Sequence, residues 1–376
     1  MMPTIYINGR FLTQKMTGQQ RFSCELVTAL DRRLQAGWHG SDDPRVVLLV
    51  PAAAAPESTL DLRRIELRRV GRLRGHAWDQ IDLARHAAGG VLVSLCGTGP
   101  LAHLRHIVTI HDAAPFANPH NFTPAFRRAY GVLIPTLAKL ARRVLTVSDF
   151  SKAEIAHYCG IDAGKIEVVG NGADHILRAP ADAAVLDNYG LAGRRYVLAV
   201  GSLSINKNFG LVVDAFNRLQ RDDLVLAVAG GQNAGVFARY PLRETANVVR
   251  LGYVSDPALR ALYENALCFV LPSLYEGFGI PPVEAMLCGC PTIISTAPAL
   301  VEISSDGALV CDPHDPDALA ELIGRLADDD GLRRQMRERG LTRGRRFTWE
   351  ASAERLAAVL HGFGHEQPLP AVGRPA

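Results

Sequence analysis

Two carboxylates eight positions apart, Glu276 and Glu284, bracket a glycine-bearing stretch in Ser273-Leu274-Tyr275-Glu276-Gly277-Phe278-Gly279-Ile280-Pro281-Pro282-Val283-Glu284. The continuous apolar run 266–271 just before it reads as a buried parallel strand. Gly277 and Gly279 permit a tight turn with exposed amides, and Pro281 or Pro282 suits the first turn of a helix. Such a turn presents bare N–H groups and the positive end of a helix dipole to an anion. Glu284, expected one or two positions inside that helix, is useless for holding phosphate but well suited to accept hydrogen bonds from a vicinal diol such as a ribose. Phosphate and sugar recognised side by side point to a nucleotide sugar.

A second group of residues fits the same ligand. Strand 196–200 leads through Gly201-Ser202-Leu203-Ser204-Ile205-Asn206 to Lys207 at or near a helix start, where a cation can neutralise a diphosphate as it leaves. Gly18, in Met16-Thr17-Gly18-Gln19-Gln20-Arg21, follows the first strand and opens the first helix, so its amide is placed to approach the same anion, with Arg21 one turn further in. His111-Asp112 closes strand 106–110 at its carboxyl end, the ligand edge of an open α/β sheet. Singly, each has a bland reading: a helix cap, a solvated lysine, a structural histidine. Gly97-Thr98-Gly99-Pro100-Leu101-Ala102 matches a loose dinucleotide fingerprint but runs into another strand where that motif needs a helix, which argues against a nicotinamide dehydrogenase. Asp315-x-Asp317 and Asp328-x-Asp330 fall in a late turn and a late helix, away from any ligand edge, so no metal is implied.

The Glu-x7-Glu pair resembles the signature of glycosyltransferase family 4. Further landmarks follow in the family's order: Thr17-Gly18-Gln19-Gln20-Arg21, Thr109-Ile110-His111-Asp112, 145–151, 168–174, Val200-Gly201-Ser202, Lys207-Asn208 and Phe347-Thr348-Trp349. The resemblance covers nearly the whole chain and implies a GT-B fold, two Rossmann-like doubly wound domains facing a central cleft. It implies a retaining, metal-independent hexosyltransferase in which Glu284 holds the donor ribose and Glu276 the sugar hydroxyls. The amides of Gly277, Phe278, Gly279 and Ile280, with Gly18, Arg21, Gly201 and Lys207, would meet the diphosphate, and His111 would lie near the transferred sugar with Asp112 orienting the local backbone. The chain departs from the family in lacking an arginine in the Gly201–Lys207 loop; Ser202 and Asn206 stand in the equivalent places. Similarity is nearest to bacterial polysaccharide mannosyltransferases using GDP-mannose, with UDP-glucose or dTDP-rhamnose transfer as alternatives and a catalytically silent nucleotide-sugar-binding scaffold as another. The implied acceptor is a saccharide, free or linked to polyprenyl diphosphate. Trp78-Asp79-Gln80 also resembles a family segment, on the acceptor side.

At 376 residues with 48% apolar content, two domains are expected. Strand-like runs at 4–7, 46–50, 91–95, 106–110 and 144–147 alternate with helical patterns at 19–35, 77–87, 123–142 and 149–158. The same grammar restarts after Gly170-Asn171-Gly172, with strands at 196–200, 224–229, 248–250, 267–271, 291–294 and 308–310. The expected division is 1–172 and 173–348, with a last helix near 349–361 crossing back onto the first domain and a disordered tail over 362–376. A net charge of +3 gives no case for nucleic acid, although 63–74 carry six arginines against Glu66 alone. With Arg127, Arg128, Lys139, Arg142 and Arg143, these suggest a peripheral contact with the inner face of the cell membrane, against the plainer reading of a solvated basic surface. Seven scattered cysteines without a Cys-x-x-Cys pair, no secretory pattern and no apolar run near 18 residues fit a reduced, cytoplasmic protein without structural zinc.

Overall fold

The structure is a computed structural model that describes residues 3–38, 43–202, 204–231 and 247–365. Its strands are β1 (Ile5–Asn8), β2 (Val46–Pro51), β3 (Glu66–Val70), β4 (Val91–Ser94), β5 (His106–Thr109), β6 (Arg143–Thr146) and β7 (Ile166–Val168), then β8 (Arg195–Val200), β9 (Leu224–Ala229), β10 (Val248–Gly252), β11 (Cys268–Leu271), β12 (Thr292–Ser295) and β13 (Leu309–Cys311). One sheet runs β3-β2-β1-β4-β5-β6-β7, the other β10-β9-β8-β11-β12-β13. Pairing is parallel, as between β8 and β9 or β11 and β12. Segments such as Val46–Pro51, Leu224–Ala229 and Cys268–Leu271 are buried along their whole length, as strands covered on both faces must be. Each sheet reverses direction of growth once, between β1 and β4 and between β8 and β11. Just beyond the carboxyl ends at such a switch, the flanking connections diverge and leave a crevice for ligands.

The chain divides into two compact units, 1–109 with 136–145 and 350–376, and 110–135 with 146–349. In the first, Val47, Leu49 and Leu92 pack against Trp78 and Leu83. The Trp78 indole donates to the Val70 carbonyl at 2.9 Å, which satisfies its one polar atom inside that core. In the second, Val197, Leu226, Val270 and Ile293 meet Phe209 and Val212 from the helix Phe209–Leu219 and Leu319 and Ile323 from the helix Pro316–Asp328. Fully burying one such side chain stabilises by about 1.5–3 kcal/mol.

Two Rossmann-like units are therefore present, but the chain passes between them more often than a single boundary at 172 expects. Segments 110–135 and 146–172 fall with the second unit, where the Ala113 amide donates to Tyr275 Oη at 3.3 Å and Ser148 Oγ to the Gly277 carbonyl at 2.6 Å. The last helix is Trp349–His365, so 362–365 are helical and not tail; the expected disorder of 366–376 lies outside the described residues. From Glu350 onward the chain belongs to the first unit, where Arg142 lies over the Phe363 ring. Two strands lack a predicted counterpart, β3 and β7. β3 is an edge strand with exposed Arg68 and Arg69, charges that protect its unpaired side, and Arg68 is neutralised by Glu66 at 2.7 Å.

Asp31 fastens the chain entering β3. Its buried carboxylate accepts from the amides of Arg63, Arg64 and Ile65 at 3.0, 2.8 and 2.7 Å and from Gln35 Nε2 at 2.7 Å. Burial pushes its pKa up, but these donors outweigh it and hold the group below the ordinary 3.8. Replacing Asp31 by Asn should cost about 1–3 kcal/mol, because the amide turns an NH2 toward N–H donors. A folded pKa below the unfolded one adds stability that is complete above the unfolded value and disappears as pH falls through the folded value. The gap in melting temperature between wild type and Asp31→Asn should therefore be full at pH 7 and narrow below about 3.8. An equal gap at both ends of that range would show that the carboxylate charge is not what fastens this segment.

Candidate active site

The carboxyl ends of β8 and β11 carry the candidate site residues of the second unit. After β11 the chain turns through 272–279 into the helix Ile280–Leu287, with Pro281 in its first turn. Gly279, the N-cap, has φ of +92°, and a Cβ there would come within 2.4 Å of Leu300. A Cβ on Gly277 would come within 2.8 Å of Asp112 Cβ and 3.0 Å of the His111 carbonyl oxygen. Only glycine fits either place. Ser148 and Ser151 both donate to the Gly277 carbonyl, at 2.6 and 3.0 Å, and so fix the orientation of that peptide. Among the described residues nothing accepts a hydrogen bond from the amides of Gly277, Phe278, Gly279 or Ile280. Four open donors at a helix start, three of them on buried residues, form a receptor for an anion.

Lys207 lies beside this turn. It ends a single 3-10 turn, Ile205–Lys207, two residues before the helix Phe209–Leu219, and its stem passes over Gly201, where a Cβ would lie 3.7 Å from Lys207 Cδ. Its Nζ meets Glu276 Oε1 at 2.5 Å, and Ser273 Oγ donates to the same oxygen at 2.7 Å. Oε2 of Glu276 and the other ammonium hydrogens of Lys207 have no partner among the described residues. The pair thus keeps one acceptor for a hydroxyl and spare donors for an anion. Asn206 braces the loop: its carbonyl accepts from the Leu274 amide at 2.8 Å and its Nδ2 donates to the Tyr275 carbonyl at 3.4 Å. It fills structurally one of the places where the family pattern has an arginine.

His111 is buried, and its carbonyl accepts from Thr146 Oγ1 at 3.4 Å. Asp112 Oδ1 accepts from the Ala114 amide at 2.8 Å, so the side chain does orient its own loop. Its surroundings raise the Asp112 pKa, first by removing water and further through the Glu276 charge, while the Ala114 amide and Lys207 act the other way.

Glu284 is the fifth residue of its helix, deeper than one or two positions, and it is buried. Its Oε1 is 2.9 Å from His175 Nε2, and Oε2 accepts from Tyr263 Oη at 3.2 Å. His175 Nδ1 in turn accepts from the Trp349 indole at 3.1 Å, which leaves the ring proton on Nε2, facing Glu284. Burial and the Glu284 charge push the Tyr263 hydroxyl well above its usual 10, so it stays a donor. Each carboxylate oxygen keeps a second lone pair, enough for two hydroxyls of a diol. Tyr263 carries no sequence signal of its own; Ser148 and Ser151 lie within the 145–151 landmark, and His175 directly follows the 168–174 landmark.

Gly18 and Arg21 belong to the first unit. Gly18 opens the helix Gly18–Ala36, is exposed, and would meet nothing within 4 Å if given a Cβ. Arg21 Nη1 lies 3.9 Å from Glu25. In the same unit, Trp78 and Asp79 are wholly buried, with Asp79 held by Arg10 at 3.0 Å and Asn8 at 3.2 Å, while Gln80 donates to the Gly99 carbonyl at 2.8 Å. The Gly97-x-Gly99 stretch runs on toward β5, and a Cβ on Gly99 would strike His106 at 2.5 Å, so close packing explains that glycine. The Asp-x-Asp pairs are structural: Asp315 caps the helix Pro316–Asp328, Asp317 pairs with Arg218, and Asp328 pairs with Arg221 at 2.8 Å.

Residues 16–176 match the family described as Glycosyltransferase Family 4, and residues 188–343 that described as Glycosyl transferases group 1. The chain belongs to glycosyltransferase family 4, and it is a glycosyltransferase. It is 34% identical over 267 residues to O-antigen chain mannosyltransferase B of Escherichia coli, an alignment spanning 67% of this chain and 70% of that one. It is 26% identical over 281 residues to the serotype-specific mannosyltransferase WbdA of Escherichia coli, covering 68% of this chain but 33% of that longer protein. Among solved structures, sucrose-phosphate synthase (tll1590) from Thermosynechococcus elongatus superposes with a TM-score of 0.74 over 96% of this chain and 99% of that one at 21% identity, which supports the GT-B fold.

Proposed function

We propose that the protein transfers mannose from GDP-mannose, with retention at the anomeric carbon and without a metal, onto a saccharide or polyprenyl-diphosphate-linked saccharide in bacterial surface polysaccharide synthesis. The observation that carries the reading is the open turn of Gly277, Phe278, Gly279 and Ile280 amides beside the Lys207–Glu276 pair. Mannose is supported by the two Escherichia coli relatives, both named mannosyltransferases. In this reading Glu284 accepts from the ribose hydroxyls and Glu276 Oε2 from a sugar hydroxyl. As the bond from the anomeric carbon to the phosphate oxygen breaks, negative charge grows on the leaving diphosphate, where Lys207 and the amides meet it. The acceptor oxygen bonds to the same face of the anomeric carbon, and its proton passes to the departing phosphate. His111 lies near the sugar.

Lys207→Ala should lower kcat by about 10²–10³-fold, the cost of losing one such donor, with a much smaller stability loss because Ser273 still bonds Glu276. Normal turnover in the folded variant would remove Lys207 from the mechanism. Glu284→Gln must turn an NH2 toward either His175 or Tyr263, so some stability falls as well. The ribose contact is therefore read by comparing GDP with its 2′,3′-dideoxy analogue. Wild type should prefer GDP by about tenfold, and the preference should vanish in Glu284→Gln. A preference that persists assigns Glu284 a purely structural role.

Metal independence is supported by the capping and pairing that occupy Asp315, Asp317 and Asp328. Turnover should survive excess EDTA; abolition with rescue by Mn²⁺ would refute it.

The reading includes cytoplasmic action with peripheral contact at the inner face of the membrane, supported by exposed Arg69, Arg72, Arg74, Arg127 and Arg128. Each basic residue near an anionic surface contributes about 1 kcal/mol. Among the described residues no helix is long and apolar enough to cross a membrane. Vesicles with anionic lipid should co-sediment the protein at low salt in preference to neutral ones, and equal recovery with both would count against the contact.

A further inference from the structure

At the amino-terminal edge of the second sheet, opposite the edge that carries the Gly277 turn, a cavity of about 420 Å³ opens before β8, β11 and β12. Five arginines line it, Arg194, Arg195, Arg333, Arg334 and Arg337, against two carboxylates, Glu264 and Asp330. Those carboxylates are already engaged, Glu264 by Arg260 at 2.7 Å and Asp330 by Arg333. Arg195 is neutralised by Asp223 at 2.8 Å, outside the lining. Arg194, Arg334 and Arg337 make no ion pair among the described residues.

Stability alone does not account for this placement. Arg333 sits in the first turn of the helix Asp330–Gly344, where the dipole disfavours a cation and Asp330 compensates it, while Arg334 and Arg337 follow in the second turn without such a partner among the described residues. Arg337 is also held in place: it donates to the Gly289 carbonyl at 3.4 Å, and a Cβ on Gly289, where φ is +70°, would come within 2.9 Å of its guanidinium carbon. A glycine that leaves room for a guanidinium, and like charges gathered around a hollow, are what a polyanion needs. The planar fork of arginine suits paired phosphate oxygens better than a single point charge would. The volume matches a diphosphate or a phosphorylated sugar.

We propose that this cavity binds a multiply charged phosphate group through Arg194, Arg334 and Arg337. The phosphate belongs either to a soluble metabolite or to a lipid headgroup, and the two are separable. Inorganic pyrophosphate is titrated calorimetrically at low salt into four proteins: wild type, Arg194→Ser/Arg334→Ser/Arg337→Ser, Arg334→Glu alone, and Lys207→Ala. Since pyrophosphate also suits the Gly277 turn, the signature is a binding event kept in Lys207→Ala and lost in the triple variant. Arg334→Glu should weaken it by about tenfold or more. Among the described residues none of the three arginines has an ion-pair partner and the one hydrogen bond lost, from Arg337 to the Gly289 carbonyl, is long at 3.4 Å, so the melting temperature of the triple variant should change little. In parallel, vesicles with and without phosphatidic acid are sedimented with wild type and triple variant. Arginine-dependent recovery on phosphatidic acid without pyrophosphate binding assigns the phosphate to a lipid, and pyrophosphate binding without recovery assigns it to a soluble ligand. Absence of both, or binding of both kinds unchanged by the triple replacement, overturns the proposal.

Discussion

The turn at Gly277 and Gly279 exists only because two side chains are missing and two serines hold one carbonyl. The gap that glycine leaves at 277 lets the His111-Asp112 backbone approach, and the left-handed φ at 279 lets the chain enter the helix Ile280–Leu287 beside Leu300. That geometry leaves four amides without a described acceptor. A buried N–H without a partner costs free energy comparable to a lost hydrogen bond, so the unliganded turn is a local weakness that an anion removes. In the proposed reading, binding energy and catalytic stabilisation would come from the same groups, since donors aimed at a diphosphate act more strongly as its charge grows.

The helix that begins at this turn also fixes Glu284. A carboxylate more than one turn inside a helix and nearly shut off from solvent needs charge compensation or donors. His175 and Tyr263 provide the donors, and Trp349 sets the tautomer of His175 by taking up its Nδ1 lone pair. Trp349 is anchored independently, its amide donating to Asp174 Oδ1 at 2.7 Å and its ring buried. Gly172 is part of the same arrangement, because a Cβ there would strike the Trp349 amide nitrogen at 2.2 Å. The orientation of Glu284 is thus set by a chain of contacts from 172 to 349, each specific in geometry.

Length and flanking turn residues made most of the strands legible, because short apolar runs such as Leu224–Ala229 are too short for a typical helix and fit a buried strand. β3 and β7 escaped because an edge strand of exposed arginines and a three-residue strand have no hydrophobic period to read. In the site, Glu276, Glu284, Lys207 and the two glycines were legible since they sit close in sequence to the strand ends that place them. His175 and Tyr263 were not, and Ser148 and Ser151 were legible only as part of the 145–151 landmark, without their role. Each acts through a partner between 21 and 129 positions away, and nothing in a single serine or tyrosine announces such a partner. Segments 110–135 and 146–172 follow strands of the first sheet, and the second of them contains β7, yet both hydrogen-bond to 275–277, contacts that sequence order does not announce.

The place of Asn206 decides how charge is met. Where the family pattern has an arginine, this side chain spends its amide on the Tyr275 carbonyl, and its backbone receives the Leu274 amide. A bare arginine there would add a cation and keep the backbone bond from Leu274, but it would lose the side-chain tether to the Tyr275 carbonyl. With Asn206 in place, the 2.5 Å Lys207–Glu276 contact joins two segments already fastened to one another, so less side-chain freedom is lost in holding it. In the proposed reading the helix start offers roughly half a positive charge, and it does so through the bare N–H groups of Gly277, Phe278, Gly279 and Ile280 themselves, while the Lys207 charge is shared with Glu276. A diphosphate would then be held more by the direction of those N–H bonds than by net charge, which would tie the proposed function of this turn to the bareness of its glycines.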